Sequence, residues 1–350
     1  MHLTRDNIVV VADFYREKLP EIMSLFLSIL KNKKFDNAVE FEQVKEQALF
    51  EAEQASHKHP EISLFDSLYE VAFRNSSLGM PLLACHQSAS HLTASAIKDF
   101  KWRCLNSAQP SLVGINVSHE ELIGLEKDLF GARWEGLREP SKSHETSTQS
   151  AYFGGEKRTY KENGVNHVML GFKAAPGIAS KDSLTASLIS SLIGGPCHVK
   201  YGHGLSLFSK LSAELGVSIN GFHNCHPENS LIGFHVCTPN GQQITHSLTT
   251  ILDKVKSFKV DEASLARAKE TTKFLMSDAQ STRGGISDFL ISQITSGKSE
   301  YVSGAEINSV VDSISAAKVE QLIQELFSSK PSMASEGRLF EIPHLDDLKK

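Results

Sequence analysis

"IGGPCHVKYGHGLSLFSKL", Ile193 to Leu211, sets glycines, a cysteine, two histidines and a lysine between two apolar stretches. Gly194 and Gly195 follow the last apolar residue of a helical pattern, and Pro196 cannot continue it, which is an ordinary helix stop. Leu205, Phe208, Leu211 and Leu215 then open a second amphipathic helix, ended by Gly216. A phosphate cradle would need Gly-Lys-Ser/Thr with the lysine at a helix start, and Lys200 is not so placed. Cys197, His198 and His203 lack the paired spacings that close a zinc shell. The stretch is read as a structural corner between two helices, with a recognition surface as the alternative.

Outward from this corner, the chain repeats itself. The second half carries the strand "SLIGFHVC" (Ser230–Cys237), then a helix with Ile244, Leu248, Ile251 and Leu252 on one side. A long helix at about Glu262–Gln280, an apolar helix "GISDFLISQI", and "SAAKVEQLIQELF" leading to "SMASEGRL" complete it. The first half has the same order. The strand-like "NIVVVADF" (Asn7–Phe14) is followed by "LPEIMSLFLSIL", a Glu-rich helix at about Glu40–Ser56, and a helix at about Glu61–Phe73. Thr93–Arg103 then leads to "SLVGINV". Asn7 matches Asn229, Phe50 matches Phe274, Phe65 matches Phe289, Leu92 matches Ile314 and Ser111 matches Ser332, all at a separation of roughly 222 residues.

The second half also holds elements without a first-half counterpart: the strand "NHVMLGFKAA", the helix "KDSLTASLISSLI", the opening corner, and the strand "VSINGFHNC". Repeat arithmetic therefore expects roughly 70 residues of the first repeat to precede Met1. The expected organisation is a truncated first repeat at 1–140, a polar linker "SKSHETSTQS" at 141–150, and a complete second repeat at 151–350.

Composition narrows the partners. The 350 residues are 40% hydrophobic and 22% charged, as in soluble globular chains, and the net charge of −5 argues against nucleic acid. Five scattered cysteines read as reduced thiols. Apolar runs fall short of the ~20 residues that span a bilayer. The opening "HLTRDN" reads as neither a secretory signal nor a transit peptide.

Two further clusters are candidates for chemistry. "GFHNCHPENSLIGFHVC" puts His223, Cys225, His226, His235 and Cys237 on a hairpin around "HPENS". An even-length loop sends the pairs His223/Cys225 and His235/Cys237 to opposite sheet faces, so a metal would need an odd loop. Strand packing is the expected role. In the first half, Glu46 and Glu53, with Glu42 nearby, share one side of a helix and read as a solvated face. A zinc peptidase would need an HxxEH helix as partner; the sequence has none, and "SHEEL" and "SHKHPE" are only fragments.

The repeat, the helix–Gly-Gly-Pro corner with its Pro-Cys-His-Val-Lys run, and the ending "KPSMASEGRLFEIPHLDDL" together resemble the pitrilysin and mitochondrial processing peptidase family. Within that family they resemble the core subunits of ubiquinol–cytochrome c reductase. The resemblance implies an α+β fold of two tandem repeats, each an antiparallel-rich sheet backed by helices. It implies a structural, non-catalytic subunit of respiratory complex III, peripheral on the matrix side of the mitochondrial inner membrane. Its implied partners are core protein 1 and other subunits of a dimeric complex. The α subunit of the processing peptidase is the alternative relative. Its corresponding loop is richer in glycine, whereas here "CHVKY" interrupts the glycines. Family peptidases hold zinc with HxxEH and a later helical glutamate, and that glutamate matches Glu46, with Glu53 as its companion. Without the HxxEH helix, the expectation is no catalytic residue, no metal ligand and no cofactor.

Overall fold

The computed structural model describes residues 2–5, 7–31, 38–107, 111–127, 150–162, 164–177, 180–195, 206–296 and 301–349. The chain forms two compact units: Met1–Ser63 with Leu82–Thr148, and Leu64–Pro81 with Gln149–Lys350.

In the first unit, strands β1 (His2–Leu3) and β2 (Ile8–Val9) pair antiparallel, followed by helices α1 (Leu19–Lys31) and α2 (Ala38–Lys58). Helix α3 (Pro60–Phe73) begins in this unit, and α4 (His86–Ser90), α5 (Ala94–Ser107) and a helix over 119–127 (α6) follow. Leu19 and Met23 of α1 are its most buried apolar pair and pack with Phe14, Phe26, Leu27, Val117, Leu122 and Leu125. Of the expected strand Asn7–Phe14, only Ile8–Val9 is strand. Its partner is two residues long, so the extended backbone beyond Val9 has no ladder to join, and Ile8 stays 61% exposed. Helix α2 buries only Ala52, consistent with its charged sequence.

The second unit is built on a five-stranded sheet in the order β3 (Gly155–Tyr160), β7 (Ser332–Gly337), β4 (Asn166–Ala174), β6 (Ser230–Thr238), β5 (Ser218–Cys225). Every neighbouring pair is antiparallel except β3–β7. One face carries Val168, Leu170, Phe172, Ile232, Phe234 and Val236, all buried beneath helices. Those helices are α7 (Lys181–Ile193), α8 (Leu207–Leu215), α9 (Gly241–Lys256), α10 (Glu262–Ala279), α12 (Gly304–Asp312) and α13 (Ala316–Ser328). The apolar helix α11 (Arg283–Thr295) buries only Gln293. On the opposite face, Met169, Leu231 and Ala334 are covered by Leu64, Leu68, Tyr69, Ala72 and Phe73 of α3. Fully burying side chains of this size is worth about 1.5–3 kcal/mol each. That packing ties the 64–81 segment to the sheet rather than to the rest of the first half.

The helix boundaries follow capping chemistry. Ser180 accepts the Ser183 amide at the start of α7, Asp261 accepts the Ser264 amide for α10, and Ser303 with Glu306 forms a capping box for α12. The short elements β1, α4 and α6 escape the sequence reading, and so do two elements of the second unit. Strand β3, "GEKRTY", is polar because it lies at a sheet edge, where charge discourages further pairing. Helix α12 has only nine residues, too few for a clear period.

Candidate functional site

The corner at the end of α7 is held by backbone. Gly194 sits at φ +133°, and a β-carbon there would lie 2.7 Å from Phe208 Cβ. Its carbonyl accepts the Gly221 amide of β5 at 2.9 Å, and the Gly195 amide returns to the Ser190 carbonyl at 2.6 Å. Only glycine allows this conformation and this closeness together. The corner reading therefore holds for Gly194 and Gly195, which dock the end of α7 onto the edge strand. Cys197, His198, Lys200 and His203 lie outside the described residues.

The hairpin between β5 and β6 has a four-residue loop, His226–Asn229, closed by the His226 amide on the Asn229 carbonyl at 3.1 Å. The loop is even, and its consequence for the faces follows. Cys225 pairs with Ser230 and His223 with Ile232, on the face beneath the helices; His235 pairs with Asn220 and Cys237 with Ser218, on the other. The two His/Cys pairs cannot meet through the sheet.

Each pair has its own surroundings. On the helix side, His223 Nδ1 is 2.9 Å from Ser187 Oγ, while Ser183 Oγ and the Gly177 carbonyl each lie 3.1 Å from Cys225 Sγ. Ser191 continues the row at α-helical spacing and accepts from Thr272 Oγ1 at 3.1 Å. Ser183 and Ser187 thus set one stripe of α7 against the polar part of β5, and Ser191, a turn further on, meets α10. His223 Nε2 is buried with no hydrogen-bond partner among the described residues. Protonating the ring would put a second N–H where no described residue accepts it, and burial pushes the pKa down to about 4.

On the other face, His235 meets a residue the hairpin alone could not supply. Its Nε2 is 3.1 Å from Nδ1 of His167, on the neighbouring strand β4. The signal was present in sequence as "NHVML", but the partnership depends on the β4–β6 register, which the sequence does not fix. At the loop itself, His226 Nε2 lies 2.7 Å from Tyr69 Oη of α3. Ser150 is buried, its amide donating to Glu228 Oε2 at 3.2 Å and its carbonyl accepting from Asn229 Nδ2. Residues 141–149 lie outside the described set.

Glu42, Glu46 and Glu53 are exposed on α2. Among the described residues, no three His, Cys, Asp or Glu side chains come together closely enough to hold a metal. A catalytic zinc needs three protein ligands with an open position for water. The donors present here do not fit that ion: an exposed helical carboxylate holds it poorly, and the paired imidazoles lie on another element. The contacts at these candidate residues are packing, caps and hydrogen-bonded pairs.

Comparison with known proteins agrees with this architecture. The family description "Peptidase M16 inactive domain" matches residues 91–272, more than half the chain, and "Insulinase (Peptidase family M16)" matches residues 2–86. Cytochrome b-c1 complex subunit 2 of Neurospora crassa is 26% identical over 99% of this chain and 74% of its own length. The Mus musculus subunit 2 is 22% identical over 99% of this chain and 75% of its own length. Mitochondrial-processing peptidase subunit alpha-2 of Dictyostelium discoideum is 24% identical, over 82% of this chain and 64% of its own length. A chain in the structure of complex III2 from Candida albicans, Inz-5 bound, superposes with a TM-score of 0.76 at 15% identity, covering 96% of this chain and 81% of that one. The likeness extends along nearly the whole sequence.

Proposed function

From the premise that this chain belongs to peptidase family M16, we propose that it is a structural core subunit of mitochondrial complex III, of the cytochrome b-c1 subunit 2 kind, with no peptidase chemistry of its own. The observation that carries this reading is that subunit 2 relatives from fungi and from mouse, 22–26% identical, align with 99% of the chain. The donor set points the same way, because Glu46 stands exposed and no metal-holding trio is assembled among the described residues. In this reading the large helical and sheet surfaces serve a permanent assembly. The chain sits at the matrix side of the inner membrane, beside core protein 1, in a dimeric complex. No helix among the described residues is long and apolar enough to cross a membrane, which suits peripheral attachment through partners.

A second reading is a non-catalytic α-type subunit of a mitochondrial processing peptidase, favoured by the Dictyostelium and potato α-subunit relatives. Depletion in the source organism separates the two. The proposed role predicts loss of antimycin-sensitive ubiquinol–cytochrome c reductase activity, restored equally by the wild-type gene and by Glu46→Gln. Accumulation of uncleaved precursors with reductase activity intact would favour the processing subunit instead.

A further inference from the structure

Strand β3 gives the core no fully buried side chain: Gly155 to Thr159 are half-buried and Tyr160 is exposed. It lies at the sheet edge, paired with β7 alone and in parallel. Its Lys157 meets Glu70 in an ion pair whose side chains are both well exposed, a contact of small worth. What else holds the strand is the chain's own C-terminal segment, from Arg338 onward.

Glu156 and Arg158 stand two residues apart, on one face of β3, and take that segment by its backbone. The Arg158 guanidinium donates to the carbonyls of Leu339, Ile342 and Pro343, and to Glu156 Oε1 at 2.9 Å. Glu156 Oε2 accepts the Leu345 amide at 3.0 Å, and its Oε1 lies 3.2 Å from His344 Nδ1. Asn166, at the start of β4, holds the other end. Its Oδ1 accepts the Arg338 amide at 2.8 Å, and its Nδ2 donates to Glu341 Oε2 at 2.7 Å. Among these bonds, Ile342 and Leu345 are buried in the core. The chain enters the segment through Gly337, at φ +134°, where a β-carbon would collide with Asn166 Oδ1.

Two stretches far apart in sequence are thereby joined into one piece. We propose that β3 and the segment 338–347 form a single latch, which opens and closes as a unit about Gly337 while β4, β6, β5 and their helices stay packed. The bonds that couple the two stretches are charge-assisted and few, and they converge on Glu156 and Arg158. Opening draws Ile342 and Leu345 out of the core and breaks the parallel ladder. It bares the outer edge of β7, a row of amides and carbonyls to which another strand can add.

Native-state hydrogen exchange of the full chain in low urea, read by mass spectrometry, tests this. Peptides covering 155–160 and 338–347 should exchange through one shared opening, reached before the unfolding that exposes β4 and β6. Arg158→Ala should speed exchange in both segments by about tenfold or more, because several bonds to a charged group are lost. Arg158→Lys, with an effect in the same direction, serves if that variant folds poorly. Phe208→Leu, on α8 against the far edge strand β5, should speed exchange in β4 and β6 and leave both latch segments unchanged. An Arg158 effect on only one segment or on neither would overturn the proposal. So would latch segments that keep pace with β4 and β6 in Phe208→Leu.

Discussion

Acidification should destabilise the sheet unit through His223, and the size of the effect can be worked out. The ring's pKa is lowered from 6.5 to about 4 in the folded chain because burial strips water from it, and Nε2 has no hydrogen-bond partner among the described residues. The unfolded chain therefore binds the proton between those values and the folded chain does not. Stability from this group is complete above about pH 6.5 and is lost as pH falls toward 4. Each tenfold difference in proton affinity between the two states is worth about 1.36 kcal/mol, so the full difference is about 3 kcal/mol, of which about 2 kcal/mol is already lost at pH 5. For a unit of this size that corresponds to a fall in Tm of roughly 4–8 °C between pH 7 and pH 5. Thermal unfolding of wild type and His223→Leu, followed by circular dichroism at matched pH values, isolates the contribution of this ring. Asp261 and Glu306, whose pKa values are lowered by their bonds to Ser264 and Ser303, weaken both proteins alike in acid. The wild type should lose about 2 kcal/mol more than the variant on going from pH 7 to pH 5. Parallel acid limbs would show that His223 is charged in the fold, and that the reading of the α7–β5 contact is wrong.

Other outcomes follow from the same contacts. Gly194→Ala forces a β-carbon against Phe208 at φ +133° and should cost roughly 2–4 kcal/mol, read as a lower urea midpoint with an unchanged m-value. Leu68→Ala opens a cavity between α3 and the sheet and should cost about 2–5 kcal/mol by the same assay. A fragment 151–350 should unfold cooperatively, but it should bind more hydrophobic dye than 64–350, because Met169, Leu231 and Ala334 lose their cover; equal dye binding would contradict the packing. The purified chain should hold well under one equivalent of zinc, and Glu46→Gln should leave that content unchanged by elemental analysis.

Legibility in the sequence tracked how local the governing physics is. Helix α7 was readable to the residue, since its apolar spacing, its Ser180 cap and the Gly-Gly-Pro stop all lie within the segment itself. The parity of the His226–Asn229 loop was likewise local, and it decided the faces of two His/Cys pairs. Strand β2 was overestimated because strand length depends on a partner, and the partner is only His2–Leu3. The union of α3 with the second-half sheet, and the approach of His167 to His235, rest on long-range packing and register that no local pattern records. The family resemblance rested on motifs in the second half, where the complete sheet lies.

The central claim, a structural subunit of complex III without peptidase chemistry, is tested most directly by native electrophoresis of gently solubilised mitochondrial membranes carrying the tagged full chain. The proposed function predicts that the tag runs in one high-mass band with cytochrome b and core protein 1, and that this band retains ubiquinol–cytochrome c reductase activity. Migration as a soluble matrix heterodimer that cleaves presequence peptides would contradict it.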